Sequence, residues 1–286
     1  MTLVSVAQMN SQDDIENNFQ IIESLIQQSK AQNASLIVFP ENFVCFAAGK
    51  QRETAEQFES IQQRLEKLAH QYQIWIVAGT LPCPFRPDGS TIQDGRVRTV
   101  SLCISPERTE ARYDKIHLFD VQVGDAVGGY QESRFFEPGT DVVVTSTPFG
   151  NIGLMVCYDL RFPELALTLR QQGAHLLTAP AAFTYTTGQM HWQLLLQARA
   201  MDSQCYVLGA AQQGWHGEKR QTWGHSGATD SRGQILSMIE NEGNGLITVP
   251  FDLTAQDLVR SSMPLMTHRK LIHTIKSLIV HVEILI

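Results

Sequence analysis

Short apolar segments that alternate with helical patterns are the feature that most constrains the fold of this chain. Residues 3–9 and 36–39 have the length and apolar character of buried strands. Between them, residues 15–32 place apolar side chains at helical spacing, and Asp13 or Asp14 is expected to cap that helix. Strands that alternate with helices predict an α/β fold with layered packing.

The same alternation continues to about residue 270 and predicts a single domain over residues 1–270. No linker rich in Pro, Gly or Ser, no charge run and no internal repeat divides the 286 residues. We expect further helices over 54–72, 165–171 and 191–201, and further strands over 75–79, 97–104, 142–147, 152–156, 176–178, 205–210, 227–229 and 245–249.

Residues 271–286 form an apolar tail after this domain. Lys276 and Glu283 interrupt the apolar run, and the run is too short to span a bilayer. We therefore expect the tail to pack on the body of the domain or on a second subunit, and we predict no membrane segment.

Charge and cysteine content exclude several classes of function. The net charge is −7 and no basic cluster is present, so nucleic-acid binding is not expected. The five cysteines are odd in number and form no CxxC pair, which argues against a disulfide framework and against a zinc site. The N-terminus lacks a basic n-region and a cleavage site, so a cytoplasmic protein is predicted.

Cys157 lies where an apolar strand changes into a helix. Residues 152–156 are the predicted strand, and Pro163 can open a helix as its first residue. The N–H groups at a helix N-terminus favour the thiolate, which is the nucleophilic form of cysteine. Taken alone, Cys157 is more simply interpreted as a buried structural cysteine than as a nucleophile, because free cysteine is among the most buried residue types.

Two charged residues occupy comparable positions in the sequence. Glu41 follows the strand 36–39 and Pro40, at the kind of strand end where open α/β folds place their chemistry. Lys115 lies near the middle of Ala-Arg-Tyr-Asp-Lys-Ile-His-Leu-Phe, residues 111–119. Each charge alone is most simply a solvated surface group, so only the combination with Cys157 indicates a site.

In this order, the three segments resemble the nitrilase, or carbon–nitrogen hydrolase, superfamily. The signature of that superfamily is a Glu–Lys–Cys triad, which matches Glu41, Lys115 and Cys157 here. The resemblance extends over nearly the whole chain, from about residue 4 to about residue 270.

A second family carboxylate precedes a Phe-x-Pro-Gly turn. Residues 130–139, Tyr-Gln-Glu-Ser-Arg-Phe-Phe-Glu-Pro-Gly, match that element and give the role to Glu132. Glu137 is the less favoured candidate, because it lies in the turn itself.

The resemblance implies an amidase that works through a thioester. Cys157 would attack the amide carbon, and Glu41 would carry the protons. Lys115 and the backbone N–H of Tyr158 would stabilise the oxyanion, and Glu132 would position Lys115. Two neighbouring carboxylates should raise the pKa of one of them. No metal or other cofactor is implied. The family fold is a four-layer α-β-β-α sandwich that usually dimerises, so a homodimer or larger homo-oligomer is expected.

Residues near the triad narrow the substrate to a small amide that carries a carboxylate. Arg161 could hold that carboxylate bidentately, or could pair with Glu164 or another carboxylate of the fold. Phe183 and Thr187 could line the pocket. Core packing is a slightly simpler explanation for Phe183, and helix capping is the alternative for Thr187. Tyr158 would contribute its backbone rather than its ring.

Two further residues are expected to support the site rather than to react. His117 is expected behind the residues that touch substrate. Asp159 is expected to be structural, with a pairing to Arg199 on the facing helix as one expectation.

Within the superfamily the sequence most resembles the deaminated glutathione amidase branch. The segments that support this are residues 198–207, 210–213, 218–220 and 223–226. That branch releases 2-oxoglutarate and cysteinylglycine. The alternatives are an ω-amidase that acts on α-ketoglutaramate and releases ammonia, an N-carbamoyl amine hydrolase, and a scaffold that has lost turnover. The intact triad disfavours the scaffold.

Overall fold

The computed structural model describes residues 1–125 and 127–270, and the predicted tail 271–286 lies outside the described residues. The strands, in chain order, are β1 (Thr2–Gln8), β2 (Leu36–Val38), β3 (Trp75–Cys83), β4 (Arg98–Ile104), β5 (Thr109–Asp114), β6 (Asp120–Gln122), β7 (Gly129–Gln131), β8 (Val144–Thr147), β9 (Gly150–Leu154), β10 (Leu176–Thr178), β11 (Tyr206–Gly209), β12 (Gln213–His216), β13 (Arg220–Trp223), β14 (Gly227–Thr229), β15 (Ile235–Met238) and β16 (Gly245–Phe251). The helices are α1 (Ile15–Ala31), α2 (Gln51–Ala55), α3 (Phe58–Tyr72), α4 (Pro163–Gln171), α5 (Tyr185–Ser203), α6 (Leu253–Ser262) and α7 (Leu265–His268).

Two large sheets form the centre of the molecule. The first has the strand order β16-β1-β2-β3-β4-β5, and the second has the order β15-β14-β11-β10-β9-β8. In the first sheet β1, β2 and β3 are parallel, and in the second β9, β10 and β11 are parallel. Parallel neighbours bring their carboxyl ends to one edge of each sheet, where open α/β folds place their sites.

Alternating side chains divide the first sheet between two cores. Leu36 and Val38 share a buried core with Leu154 and Leu208 of the second sheet. Ile37 lies between them in sequence and belongs to a second core on the opposite face. Helices α1 and α3 complete that second core through buried apolar side chains that include Phe19, Ile22 and Leu65.

Helices α4 and α5 cover the outer face of the second sheet. Leu169 of α4 and Leu196 of α5 belong to the same core as the strands. Gly209 in β11 allows the close approach of α5, because an added Cβ would lie 2.7 Å from both Trp192 and Leu196. The layers therefore run helix, sheet, sheet, helix, which confirms the predicted four-layer α-β-β-α sandwich.

Most predicted elements are present, but one predicted helix is divided. The segment predicted as a single helix over 54–72 forms α2 and α3, with a turn at Gln57 (φ −97°, ψ 6°). This turn allows Phe58 to bury its ring, which packs edge-on against Phe85 with 5.8 Å between ring centroids. Helix α1 starts as expected, because the Asp14 carboxylate accepts the N–H of Asn17 at 3.0 Å.

The structure adds elements that carry no clear apolar pattern. Strand β5 has the polar sequence Thr-Glu-Ala-Arg-Tyr-Asp, and the hairpins β6–β7 and β12–β13 form two small separate sheets. Helix α5 begins at Tyr185, well before the predicted start at 191. Across the part of the chain that the structure describes, no helix has the length and apolar character needed to cross a membrane.

Gly79 in β3 provides a test of how the first sheet positions Glu41. A Cβ at this position would lie 1.9 Å from the carbonyl oxygen of Pro40, so Gly79→Ala must displace the backbone beside Glu41. Overpacking of this kind costs about 1–3 kcal/mol. We expect a lower thermal unfolding midpoint, by about 2–4 °C for each kcal/mol. Gly124→Ala is the control, because its Cβ would meet nothing within 4 Å. Equal unfolding midpoints for Gly79→Ala and Gly124→Ala would contradict the prediction that a Cβ at position 79 displaces the backbone beside Glu41.

Candidate active site

The turn that carries Cys157 holds the thiol in a constrained position. Strand β9 ends at Leu154, and the short 3₁₀ helix Cys157–Arg161 follows. Cys157 has φ 49°, in the left-handed region that costs a non-glycine residue about 1–3 kcal/mol. Its N–H donates to the carbonyl of Pro180 at 2.8 Å. The rest of the fold therefore compensates for the strain and directs the side chain into a cavity.

Lys115 lies between two carboxylates. Its Nζ is 2.9 Å from Oε1 of Glu41, and 2.9 and 3.0 Å from Oε1 and Oε2 of Glu132. Only 2% of Lys115 and 5% of Glu41 is exposed, so these charges interact with little screening by water. Glu41 follows β2, Lys115 follows β5 and Glu132 follows β7, so three separate strand ends bring these residues together.

The structure distinguishes between the two candidate carboxylates near the Pro-Gly turn. Oε2 of Glu132 also accepts the backbone N–H of Phe119 at 2.6 Å, which fixes its carboxylate beside Lys115. Glu137 instead binds Arg86, with two contacts of 2.8 Å, and also contacts Arg98. Glu132 is therefore the carboxylate at Lys115, and Glu137 belongs to a separate cluster of charges.

The electrostatics keep Lys115 charged. Burial lowers the pKa of Lys115, but the charges of Glu132 and Glu41 outweigh that effect and raise it well above its usual value. Burial raises the pKa of the Glu132 carboxyl, and the charge of Lys115 acts against it. The pKa of Glu132, the carboxyl that positions Lys115, is therefore raised mainly by burial, and the charge of Glu41 adds to that effect.

The thiol of Cys157 differs from the sequence expectation. Burial, followed by the negative charge of Glu41, raises the pKa of the Cys157 thiol well above its usual value. Lys115 and the N–H of Ala182 act in the opposite direction and are outweighed. The expected effect of the helix N-terminus does not prevail, because burial and Glu41 hold the pKa of the thiol above its usual value. The resting group is a neutral thiol beside a carboxylate that can take its proton.

A cavity of about 730 Å³ opens above this cluster. The four residues predicted for catalysis line it, and so do Tyr158, Arg161, Phe183 and Thr187. The volume lies within the range of pockets that enclose small organic ligands. The N–H of Tyr158 is among the first of its helix, where N–H groups have no partner inside the helix. It remains a candidate donor to an oxyanion.

Arg161 lines the cavity, and its partner in the fold is a histidine rather than a carboxylate. Both of its terminal nitrogens donate to Nδ1 of His191 at 3.3 Å. Its guanidinium lies 5.4 Å from the ring centroid of Phe183 and 5.9 Å from that of Tyr158. Among the described residues no carboxylate lies within 4.0 Å of it, so the expected alternative of a salt bridge to Glu164 is absent there.

Phe183 and Thr187 combine packing with exposure to the cavity. Phe183 packs edge-on against Trp192 at 5.1 Å and is 6% exposed. The cap of α5 is Thr184, whose hydroxyl accepts the N–H of Thr187 at 3.3 Å. Thr187 is therefore the capped residue rather than the cap.

Asp159 has partners other than the one expected. Its carboxylate accepts the N–H of Val156 at 2.8 Å, the hydroxyl of Tyr113 at 2.7 Å and the N–H of His117 at 3.1 Å. Nδ1 of His117 also lies 2.7 Å from it. The pairing with Arg199 is wrong, because Arg199 binds Asp202 at 2.9 Å. Asp159 instead ties the nucleophile turn to the segment of Lys115.

Sequence reasoning missed several residues that line the cavity. Phe46, Tyr130 and Arg220 belong to loops and short hairpins, and Ala182 contributes its backbone N–H to the thiol. Arg220 had a signal, since it lies in the segment 218–220 that supports the branch of the family, and Tyr130 begins the family element 130–139. An isolated aromatic residue in a loop carries no periodic pattern, so nothing in the sequence marks Phe46 as a lining residue.

Comparison with known proteins agrees with this geometry. The profile of the carbon-nitrogen hydrolase family matches residues 3–260. The deaminated glutathione amidase of Yersinia enterocolitica is 38% identical over 275 residues, which cover 95% of this chain and 94% of that protein. The deaminated glutathione amidase of Synechocystis sp. (strain PCC 6803 / GT-S) is 40% identical over 274 residues, which cover 93% of this chain and 97% of that protein.

A solved structure extends the similarity to three dimensions. The crystal structure of the C. elegans NitFhit protein superposes with a TM-score of 0.84 at 34% identity. The match covers 94% of this chain and 65% of that one, so this chain spans less than two thirds of that protein. With a family profile over most of its length and relatives of this identity, the chain belongs to the carbon–nitrogen hydrolase family of amide-cleaving enzymes.

Proposed function

We propose that this protein hydrolyses the amide bond of deaminated glutathione to 2-oxoglutarate and cysteinylglycine through a thioester on Cys157. The observation that carries the proposal is the buried Lys115, held by Glu41 and Glu132 at the base of the cavity that Cys157 lines. Relatives named deaminated glutathione amidase, at 38% and 40% identity, support the choice of substrate.

The first half of the reaction forms the thioester. Sγ of Cys157 attacks the amide carbon while Glu41 takes the thiol proton. The carbonyl oxygen becomes an oxyanion, which Nζ of Lys115 and the N–H of Tyr158 stabilise. The C–N bond then breaks, and Glu41 gives its proton to the amine of the departing cysteinylglycine.

The second half returns the enzyme to its starting state. Glu41 accepts a proton from water, and the resulting hydroxide attacks the thioester carbon. The same oxyanion donors act again, and the C–S bond breaks as the sulfur of Cys157 regains its proton from Glu41. The product is 2-oxoglutarate. Glu132 keeps the ammonium of Lys115 in place through both halves.

Arg161 supports a substrate with a carboxylate in its acyl half. Its guanidinium faces the cavity from the same 3₁₀ helix as the nucleophile. A guanidinium binds a carboxylate bidentately, and the fixed position on this helix would set the distance between the carboxylate and the amide carbon. The 2-oxo acid half of deaminated glutathione supplies such a group, as does α-ketoglutaramate.

All five cysteines of the sequence, each within the described residues, are free thiols. This supports the proposal of a reducing, cytoplasmic location, which the odd number of cysteines also favours.

A homodimer is proposed from the family resemblance and from one exposed face. Met190, Leu194 and Met201 of α5 are 58%, 65% and 56% exposed, and large apolar side chains in a row on a helix favour burial against another surface. The same helix carries Thr187, which lines the cavity, so a second copy on this face would support the wall of the site.

The substrate proposal is tested by release of 2-oxoglutarate from deaminated glutathione and from α-ketoglutaramate in parallel. We expect kcat/KM to favour deaminated glutathione by about tenfold or more, equivalent to about 1.4 kcal/mol of transition-state stabilisation. Cys157→Ala should reduce the rate by at least about a thousandfold, because it removes the nucleophile. Cys103→Ala is the matched control, since Cys103 is a buried thiol that does not line the cavity.

A preference for α-ketoglutaramate in that assay would assign an ω-amidase activity instead. Turnover by Cys157→Ala would contradict the thioester route for either substrate.

The pKa of the Cys157 thiol can be tested with Glu41→Gln. The negative charge of Glu41 raises that pKa, so its removal should lower the pKa and increase the thiolate fraction at any given pH, while turnover is lost. The measurement is a pH titration of thiolate absorbance near 240 nm, with Cys157→Ala subtracted as baseline. An unchanged or higher thiol pKa in Glu41→Gln would show that Glu41 does not act electrostatically on Cys157.

The dimer is tested by Leu194→Glu, which places a charge on the exposed face of α5. We expect the wild type to sediment as a dimer or larger assembly and the variant to dissociate, because a buried unpaired charge is costly at an interface. Leu258→Glu is a control at another helix, where Leu258 is 63% exposed. A monomeric wild type, or a variant that assembles like the wild type, would exclude α5 as the interface.

A further inference from the structure

Arg220 is a second guanidinium that faces the cavity without an acidic partner. It begins strand β13, and Nη2 donates to the carbonyl of Ala182 at 3.2 Å. No carboxylate of the described residues lies within 4.0 Å of its nitrogens, and Nε is buried without a hydrogen-bond partner there. By contrast, Arg86 and Arg112 bind carboxylates at 2.8 and 2.7 Å. Arg220 thus keeps unused N–H donors beside the active site.

Two aromatic rings hold this guanidinium in position. Its central carbon lies 4.9 Å from the ring centroid of Tyr130 and 5.0 Å from that of Phe46. Cation–π contacts of this kind orient a guanidinium and remove water from its faces. Nη2 donates to Ala182, Nε is buried, and Nη1 makes no hydrogen bond within the described residues, so the terminal end of the guanidinium can still donate to a carboxylate.

Arg220 packs against Phe46 of the loop between β2 and α2, whereas Arg161, among the described residues, does not contact that loop in any ring or hydrogen-bond contact. Phe46 belongs to the same loop as Glu41, the residue that protonates the departing amine in the proposed mechanism. Ala182 links Arg220 to the nucleophile, because its N–H interacts with the thiol of Cys157 and its carbonyl accepts Arg220. Arg161 is different, since it belongs to the nucleophile's own helix and lies over Phe183 and Tyr158.

We propose that Arg220 binds a carboxylate in the leaving-group half of the substrate, so that the site selects amides with an anionic group on both sides of the scissile bond. This inference rests on the proposed function. Deaminated glutathione has one carboxylate in its 2-oxo acid half and another on the glycine of cysteinylglycine. α-Ketoglutaramate has only the first. Arg220 would therefore set the preference between these substrates, while Lys115, Glu41 and Cys157 serve both.

The experiment compares kcat/KM for deaminated glutathione, its C-terminal glycinamide analogue and α-ketoglutaramate. In the wild type the glycinamide should be poorer than deaminated glutathione by about 10- to 100-fold, the range for a lost hydrogen-bonded charge contact. Arg220→Gln should lower kcat/KM for deaminated glutathione to the glycinamide level and leave α-ketoglutaramate within about twofold of the wild type. Arg108→Gln is the control: it removes the same charge from an exposed turn and should leave kcat/KM for all three substrates unchanged.

The outcomes separate this inference from the proposed function. Failure of the wild type to hydrolyse deaminated glutathione would overturn the function and the inference together. If the wild type hydrolyses deaminated glutathione, two results in a folded Arg220→Gln would overturn the role of Arg220 alone. One is an equal loss of kcat/KM for deaminated glutathione and for α-ketoglutaramate, and the other is no loss for either substrate. Equal rates for the acid and its glycinamide in the wild type would do the same. If Arg220→Gln does not fold, Arg220→Lys decides by the same criterion, because a lysine cannot form the bidentate contact.

Discussion

The charge of Lys115, enclosed by two carboxylates, is the interaction on which the rest of the site depends. An isolated buried ammonium would lose its proton or destabilise the fold, because removing a charge from water costs several kcal/mol. Glu41 and Glu132 prevent this by contacts of 2.9 Å each. The two carboxylates depend on Lys115 in the same way, since they would otherwise repel each other. Each of the three buried charges therefore depends on the other two. Because Glu41, Lys115 and Glu132 follow β2, β5 and β7, the site forms only when all three strands are folded.

The nucleophile comes from the other sheet, and Asp159 joins it to this cluster. Asp159 is fully buried and accepts hydrogen bonds from Val156, which precedes the nucleophile, and from Tyr113 and His117, which flank Lys115 in sequence. A buried carboxylate without these donors would be costly, so the contacts stabilise one relative position of the two sheets. The strained φ of Cys157 persists because this network and the bond to Pro180 fix its backbone on both sides.

The sequence predicted the parts of the fold that have strong apolar patterns. These parts are the short apolar strands β2, β9 and β10 and the amphipathic helix α1. Glu41 follows β2, and Cys157 follows β9. Strand β5 is polar because it is an edge strand, so the strand that leads to Lys115 was not recognised. The resemblance supplied Lys115 and Glu132 instead. Arg220 and its aromatic neighbours were not predicted as a cavity wall, because their proximity depends on how two hairpins fold over the sheets.

The protonation state of the Cys157 thiol depends on a balance of effects that the sequence names but does not weigh. Helix N–H groups favour a thiolate, but burial and the negative charge of Glu41 outweigh them and raise the pKa of the thiol. A neutral thiol is a weak nucleophile and is less open to oxidation than a thiolate. Deprotonation must therefore accompany attack on the substrate. Glu41 is suited to this, because one oxygen accepts a hydrogen bond from Lys115 and the other can take the proton. After that transfer Glu41 is neutral while Lys115 is still charged, so one negative charge fewer opposes the oxyanion at the moment it forms.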